Sequence, residues 1–269
     1  MPLPLNWGET DMHIEMVVIT TEDLGSKPIA HEFLNRLETL ELRPDRIGQV
    51  EPLRQKYSFE RAVNMWSEES DGCWEEGKGA VGKAGGMMGK SKLMEFMVMW
   101  WKCPGKIKMN YLFLTFPIHA YEKIKDRVLL LFKDTVLLTG ALYGYISHSI
   151  PLSRQESPGT LNHRMPGVFW CNYFGTLYVD FFGKEKILSF PWENVEFLPS
   201  GGLVTFLAKE PHKELVQSDE REKKAKEHLG SDSFGDPSEY QTTFTPPFTP
   251  EDIENMFRII PKKVPKIEK

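Results

Sequence analysis

The chain has 269 residues, 41 % of them hydrophobic and 26 % charged, with a formal net charge of −5 at pH 7. That length supports one large domain or two small ones, and the composition is that of an ordinary soluble globular protein. No run reaches the roughly 18 apolar residues that span a bilayer, and Met1 to Asp11 has neither the basic start nor the apolar run of a signal peptide.

Met12 to Thr20 alternates and is rich in Val and Ile, which predicts a first strand. Ser26-Lys27-Pro28 starts a helix, with Pro where its missing N–H is harmless and Ile29, Phe33, Leu34, Leu37 and Leu40 as the apolar stripe. Pro44 to Pro52 reads as a loop and Ser58 to Glu68 as a second helix. The stretch 70–92, rich in glycine and charge with few apolar anchors, reads as a mobile loop. Leu93 to Trp101 and Ile107 to Pro117 carry the clearest sheet signal, joined through the turn chemistry of Cys103-Pro104-Gly105.

A helix from about His119 to Val136 follows, then a strand over Leu142 to Ser147. A polar loop, Ser149 to Met165, leads into Pro166-Gly167-Val168-Phe169-Trp170-Cys171-Asn172-Tyr173-Phe174-Gly175, with four aromatics in ten residues. Its bracketing turns predict one buried strand. Thr176 to Phe182 reads as a short helix, Val195 to Leu198 and Leu203 to Ala208 as a hairpin, and Glu214 to Leu229 as a charged helix closed by Gly230. Hairpins mixed with strand–helix–strand units predict an α+β fold, with helices packed on a mainly antiparallel, twisted sheet. One domain is expected over residues 10–245, followed by a Pro- and Lys-rich tail over 246–269.

Charge is segregated along the chain. Residues 1–76 carry 7 basic and 16 acidic side chains, residues 77–136 carry 11 and 4, and residues 211–255 carry 5 and 11. The basic block sits largely in the glycine-rich stretch and around a turn, where solvated lysines explain it better than a nucleic-acid patch. An acidic face that meets a basic protein partner suits these numbers. The three cysteines, Cys73, Cys103 and Cys171, are an odd number at wide spacing. This reads against a disulfide framework and against a CxxC zinc site, and makes a reducing cytoplasm the natural compartment.

Few residues offer chemistry. Ala84-Gly85-Gly86-Met87-Met88-Gly89-Lys90-Ser91 fits a relaxed phosphate-loop pattern in which Lys90 and Ser91 would meet phosphates and magnesium. Such a loop needs a buried strand before it and a helix after it, whereas Leu93 to Trp101 has the composition of a strand. His148, His163, Cys171 and Asp180 lack metal-ligand spacing, and a Cys in an aromatic strand is usually an inert hydrophobe. The paired carboxylates lie in loops or on a solvated helix face. No catalytic residue, metal site or cofactor is therefore expected.

The aromatic residues point elsewhere. Trp100 and Trp101 are adjacent in one strand and must face opposite sides, so one can fill the core while the other meets a partner. The same reasoning marks Trp170 and Tyr173, and Asn172 is the one amide in its strand. Candidate partner-binding residues are Trp101, Trp170, Asn172 and Tyr173.

Several segments in order resemble one family: Glu51-Pro52-Leu53-Arg54 with Trp66, Gly144-Tyr145-Ile146-Ser147-His148, the block 166–175, and Tyr178-Val179-Asp180-Phe181-Phe182-Gly183-Lys184-Glu185-Lys186-Ile187-Leu188. The Gly201-Gly202 hairpin and Glu227-His228-Leu229-Gly230 continue the series. Together they look like bacterial proteins similar to immunity proteins of toxin systems, including the immunity protein 52 type. The resemblance covers most of residues 10–240, and the aromatic block is its most specific part. It implies a non-enzymatic cytoplasmic protein that binds and blocks a cognate toxin, and it carries over no contact residues. The stretches 77–91 and 258–269 have no counterpart in it. The alternatives are a nucleotide-binding protein using residues 84–91 and a regulatory module that holds a small molecule in an aromatic pocket.

Overall fold

The architecture is set by one long antiparallel sheet, present in a computed structural model that describes residues 12–155 and 165–235. Its strands in chain order are β1 (His13–Thr20), β2 (Arg46–Gly48), β3 (Gln55–Lys56), β4 (Ser70–Glu75), β5 (Gly79–Lys90) and β6 (Glu95–Lys102). They continue as β7 (Asn110–Pro117), β8 (Tyr143–His148), β9 (Cys171–Phe174), β10 (Asn194–Phe197) and β11 (Leu203–Phe206). The spatial order is β10-β11-β9-β8-β1-β7-β6-β5-β2-β3, with β4 also paired to β5. The sheet is open, and the α+β class follows from the helices packed on it.

Strand β1 lies at the centre between β7 and β8, and its alternate residues explain why both faces must be covered. Ile14, Met16 and Val18 point to one face, Val17 and Ile19 to the other, and all five are buried. The first face is covered by α1 (Lys27–Thr39), α2 (Phe59–Trp66) and α3 (Ile118–Leu138). Phe33 of α1 meets Phe96 at 5.9 Å between ring centroids, and Phe132 of α3 lies against Gly144. The second face, over β8 and β9, is covered by α5 (Thr176–Phe182) and residues 165–170. There Tyr145 stacks on Phe169 at 4.2 Å, and Tyr178 meets Tyr143 edge-on.

The stretch 70–92 is not a loop. It forms the β4–β5 hairpin, and β5 at 12 residues exceeds every other strand among the described residues. Glycine is a poor strand former by itself, so the physical reason lies in the neighbour. Strand β6 places Trp100 opposite Gly85 and Phe96 opposite Gly89. A Cβ built on Gly85 would come within 2.7 Å of the Trp100 ring, and one on Gly89 within 2.9 Å of the Phe96 ring. The missing side chains of β5 are filled by the large side chains of β6. Trp100 thereby reaches α2 and donates its indole N–H to the Trp66 carbonyl at 2.9 Å.

Cys73 and Cys103 form a disulfide with Cα atoms 5.6 Å apart, which corrects the reading of three separate thiols. A sequence separation of 30 hid the pair, because it is the hairpin register that folds β4 back beside the β6–β7 turn. Cys171 remains a free, buried thiol.

Two further boundaries differ from the sequence reading. The block 166–175 is a strand only over Cys171–Phe174, because the Asn172 amide bonds both the N–H and the C=O of Phe169 and bends the chain there. The predicted helix over 214–229 is broken into α7 (Glu214–Gln217) and α8 (Glu220–Leu229) by an extended Ser218. Arg154, on α4 (Ser149–Gln155), accounts for the break. It donates to the Leu215 and Ser218 carbonyls and pairs with the buried Glu222 carboxylate. The tail assigned to 246–269, and His163, lie outside the described residues.

Two outcomes follow from this packing. Gly85→Val drives a branched side chain into the Trp100 ring, so its urea-unfolding midpoint should fall by an amount equivalent to about 3 kcal/mol. Unfolded without reductant, the protein should titrate with a thiol reagent as a single cysteine, Cys171. A Cys73→Ser/Cys103→Ser variant should unfold about 3 kcal/mol more easily.

A candidate docking groove at the edge of the glycine-rich strand

Strand β5 is paired along its whole upper length with β6, but its other edge is shared by two short partners. Strand β2 pairs with Met88, Gly89 and Lys90. Strand β4 pairs with residues from Gly79 to Ala84. Between them residues 85–87 have no partner strand on that side among the described pairings. A groove of about 1040 Å³ opens at this notch.

Its walls are the turn after β2 (Gln49 to Pro52) and the segment joining α2 to β4 (Glu68 to Ser70). The two walls are tied by a hydrogen bond from Gln49 Nε2 to Glu68 Oε2 at 3.1 Å. The floor is the second face of β5 and β6, where the small residues Ala84 and Gly86 lie opposite Trp101 and Met99. Met88 and Met97 complete it. The same face continues across β7 with Tyr111 and Phe113, whose rings stack at 5.6 Å, and Tyr111 meets Trp101 edge-on. Met88, Met99, Trp101, Tyr111 and Phe113 are each only half-buried, whereas the equivalent face over β8 and β9 is closed by Phe169 and α5.

The charges at the groove are unequal. Glu51, Glu68 and Glu69 stand exposed on the walls, and Glu95 lies buried at one end. The lining cation, Lys90, sits directly opposite Glu95 in the strand register and forms an ion pair with it. Several other lysines of the basic block are drawn into pairs as well. Lys83 meets Asp71 at 2.9 Å, Lys106 meets Glu75 at 2.6 Å, and Lys102 meets both Asp23 and Glu69. Positive sequence thus folds against negative sequence, and the groove rim is left acidic.

The residues singled out from sequence fall into separate environments. Trp101 and Lys90 line the groove. Trp170, Asn172 and Tyr173 do not, and burial removes them as contacts for a partner. The Trp170 indole donates to the Ala208 carbonyl at 2.8 Å. The Asn172 side chain also accepts from the Tyr143 hydroxyl at 3.1 Å, and the Tyr173 hydroxyl lies 3.2 Å from Ser200 Oγ.

The phosphate-loop reading fails on geometry. Residues 84–90 are extended in β5, Ser91 begins a turn in which its hydroxyl accepts the Leu93 N–H, and a strand follows instead of a helix. The backbone amides that would cradle a phosphate belong to a β ladder.

Burial pushes the Cys171 thiol well above its ordinary range. His148 is held to about 4 by burial first and then by the charges of His13 and His212, so it is neutral at physiological pH. Its Nδ1 accepts the Ile150 N–H at 3.1 Å. Asp180 is exposed on α5. No cluster of three or more His, Cys, Asp or Glu suited to a metal occurs among the described residues, and no helix there is long and apolar enough to cross a membrane.

The groove residues missed from sequence are Gln49, Glu51, Glu68, Glu69, Met88, Met97 and Met99. Alternation of Met97, Met99 and Trp101 was a legible signal for one strand face. The walls were not, since they meet only through the hairpin.

No family model and no curated protein matches the chain. Among solved structures, the chain is similar to the Pseudomonas aeruginosa T6SS protein PA0821, with a TM-score of 0.52 and 13 % identity. The match covers 74 % of this chain and 69 % of that one. At this identity the likeness is one of fold.

Burial separates the two kinds of candidate residue by experiment. Asn172→Ala leaves the Phe169 backbone groups and the Tyr143 hydroxyl without partners, and should lower unfolding free energy by about 3 kcal/mol. Trp101→Ala, on the half-exposed floor, should lower it by about 1 kcal/mol. Urea denaturation followed by circular dichroism measures both.

Proposed function

We propose that the protein is a non-enzymatic binding protein that neutralises a cognate toxin of a type VI secretion-related system by stoichiometric occlusion. The observation that carries this reading is the groove at β5. It combines half-exposed aromatic and methionine side chains with an acidic rim. Such a surface suits a protein partner: aromatic and methionine residues supply adaptable contact area, and rim charges select and orient the partner.

The fold likeness to a T6SS protein and the resemblance to immunity proteins support the same reading from independent directions. So does the commitment of reactive groups elsewhere. Lys90 is ion-paired, Cys171 is buried as a thiol, and His148 is neutral and hydrogen-bonded.

The disulfide also bears on the compartment. A Cys73–Cys103 bond persists where the surroundings are oxidising and is rare in a reducing cytoplasm, so it favours an oxidising space over the cytoplasm expected from the cysteine count.

The test expresses any toxin encoded by the genes beside its own and titrates the protein against it. Inhibition should rise linearly and end at an equimolar ratio, with a single complex on size-exclusion chromatography. Full protection at a small fraction of an equivalent would reveal turnover and contradict the reading, as would the absence of any complex.

A further inference from the structure

We infer that the groove takes a lysine- or arginine-bearing segment of the partner protein. Its cationic heads would meet Glu51, Glu68 and Glu69, and its apolar side chains would lie on Met97, Met99 and Trp101. This rests on the proposed binding function and deepens it by naming the chemistry of the bound segment.

Three observations lead to a cationic occupant. The wall carboxylates have capacity to spare. Glu51 accepts the N–H of Leu53 at 3.1 Å, Glu68 accepts one amide N–H from Gln49, and Glu69 shares Lys102 with Asp23. An ionised carboxylate offers about four acceptor positions, so each can take a further charged donor. Second, Lys90 is held by Glu95 and leaves little positive charge to draw an anion. A phosphate, a nucleotide or a nucleic acid entering the groove would be repelled by the wall glutamates.

Third, the floor suits the apolar part of such a segment. Met97 and Met99 are unbranched and adapt to irregular shapes, while the Trp101 ring can receive an aliphatic stem or a cation on its face. The protein already uses this contact elsewhere: Lys102 Nζ lies 5.0 Å from the Trp100 ring centroid. The groove is also pre-formed. The Gln49–Glu68 hydrogen bond ties its walls, and the Cys73–Cys103 disulfide fixes the hairpin against the β6–β7 turn. Little ordering is then required on binding.

The probe is a pair of synthetic octapeptides, one alternating lysine with leucine and one alternating glutamate with leucine, titrated into the full-length protein by calorimetry. The lysine peptide should bind and the glutamate peptide should not, and added salt should weaken the binding. Glu51→Lys/Glu68→Lys/Glu69→Lys reverses three exposed charges outside the core and should lose at least about tenfold in affinity. Gln49→Ala, which breaks only the Gln49–Glu68 tie, should keep it.

Equal binding of both peptides, or undiminished binding by the charge-reversed variant, would overturn the inference. So would binding that appears only in Lys262→Glu/Lys263→Glu/Lys266→Glu, since the chain's own basic end would then be the occupant. The two levels fail separately. A charge-reversed variant that still neutralises toxin at an equimolar ratio removes the groove chemistry and leaves the function. A lysine peptide that binds while no toxin is neutralised does the reverse.

Discussion

The structure depends on a steric exchange between two adjacent strands. Strand β5 gives up side chains at Gly85 and Gly89, and β6 fills the space with Trp100 and Phe96. Neither strand would be stable in this form alone. A run of glycines loses more backbone entropy than it recovers in contacts, and two large aromatics on a strand need a surface to cover them. Together they bury both, and the Trp100 indole carries the contact onward to the Trp66 carbonyl of α2. That docks the helical layer over this end of the sheet.

The groove is a consequence of the same exchange. Because Ala84 and Gly86 are small on the opposite face, the floor dips between Met88, Met99 and Trp101. Because β2 and β4 each cover only part of the β5 edge, the dip opens sideways between two acidic walls. The disulfide and the lysine pairs then hold the arrangement, with Lys83 and Lys106 turned toward Asp71 and Glu75. The other half of the sheet took the opposite course. There Phe169, Tyr178 and Asn172 cover the face.

The fold class and most elements were legible from the residues. Apolar alternation in β1, β6 and β7 and the helical stripe of α3 reflect local periodicities that packing preserved. What was not legible was long-range compensation. The glycines of β5 look like loop until Trp100 and Phe96 are set beside them, and Cys73 looks unpaired until the hairpin turns. Lys90 and Ser91 look like a phosphate loop until Glu95 and Leu93 take them up. Of the candidate contacts, Trp101 lies at the groove, while Trp170, Asn172 and Tyr173 serve the core. Aromatic density alone could not separate these uses, because a core and a recognition surface draw on the same side chains.

Hydrogen–deuterium exchange, read by mass spectrometry on the free protein, distinguishes a locked β5 strand from a loop. If β5 is a strand locked by the aromatics of β6, the β6-bonded amides of residues 83–90 should exchange on the slow timescale of residues 95–102. Complete exchange of residues 83–90 within seconds, beside a protected β6, would contradict the strand, and the groove would lose its floor.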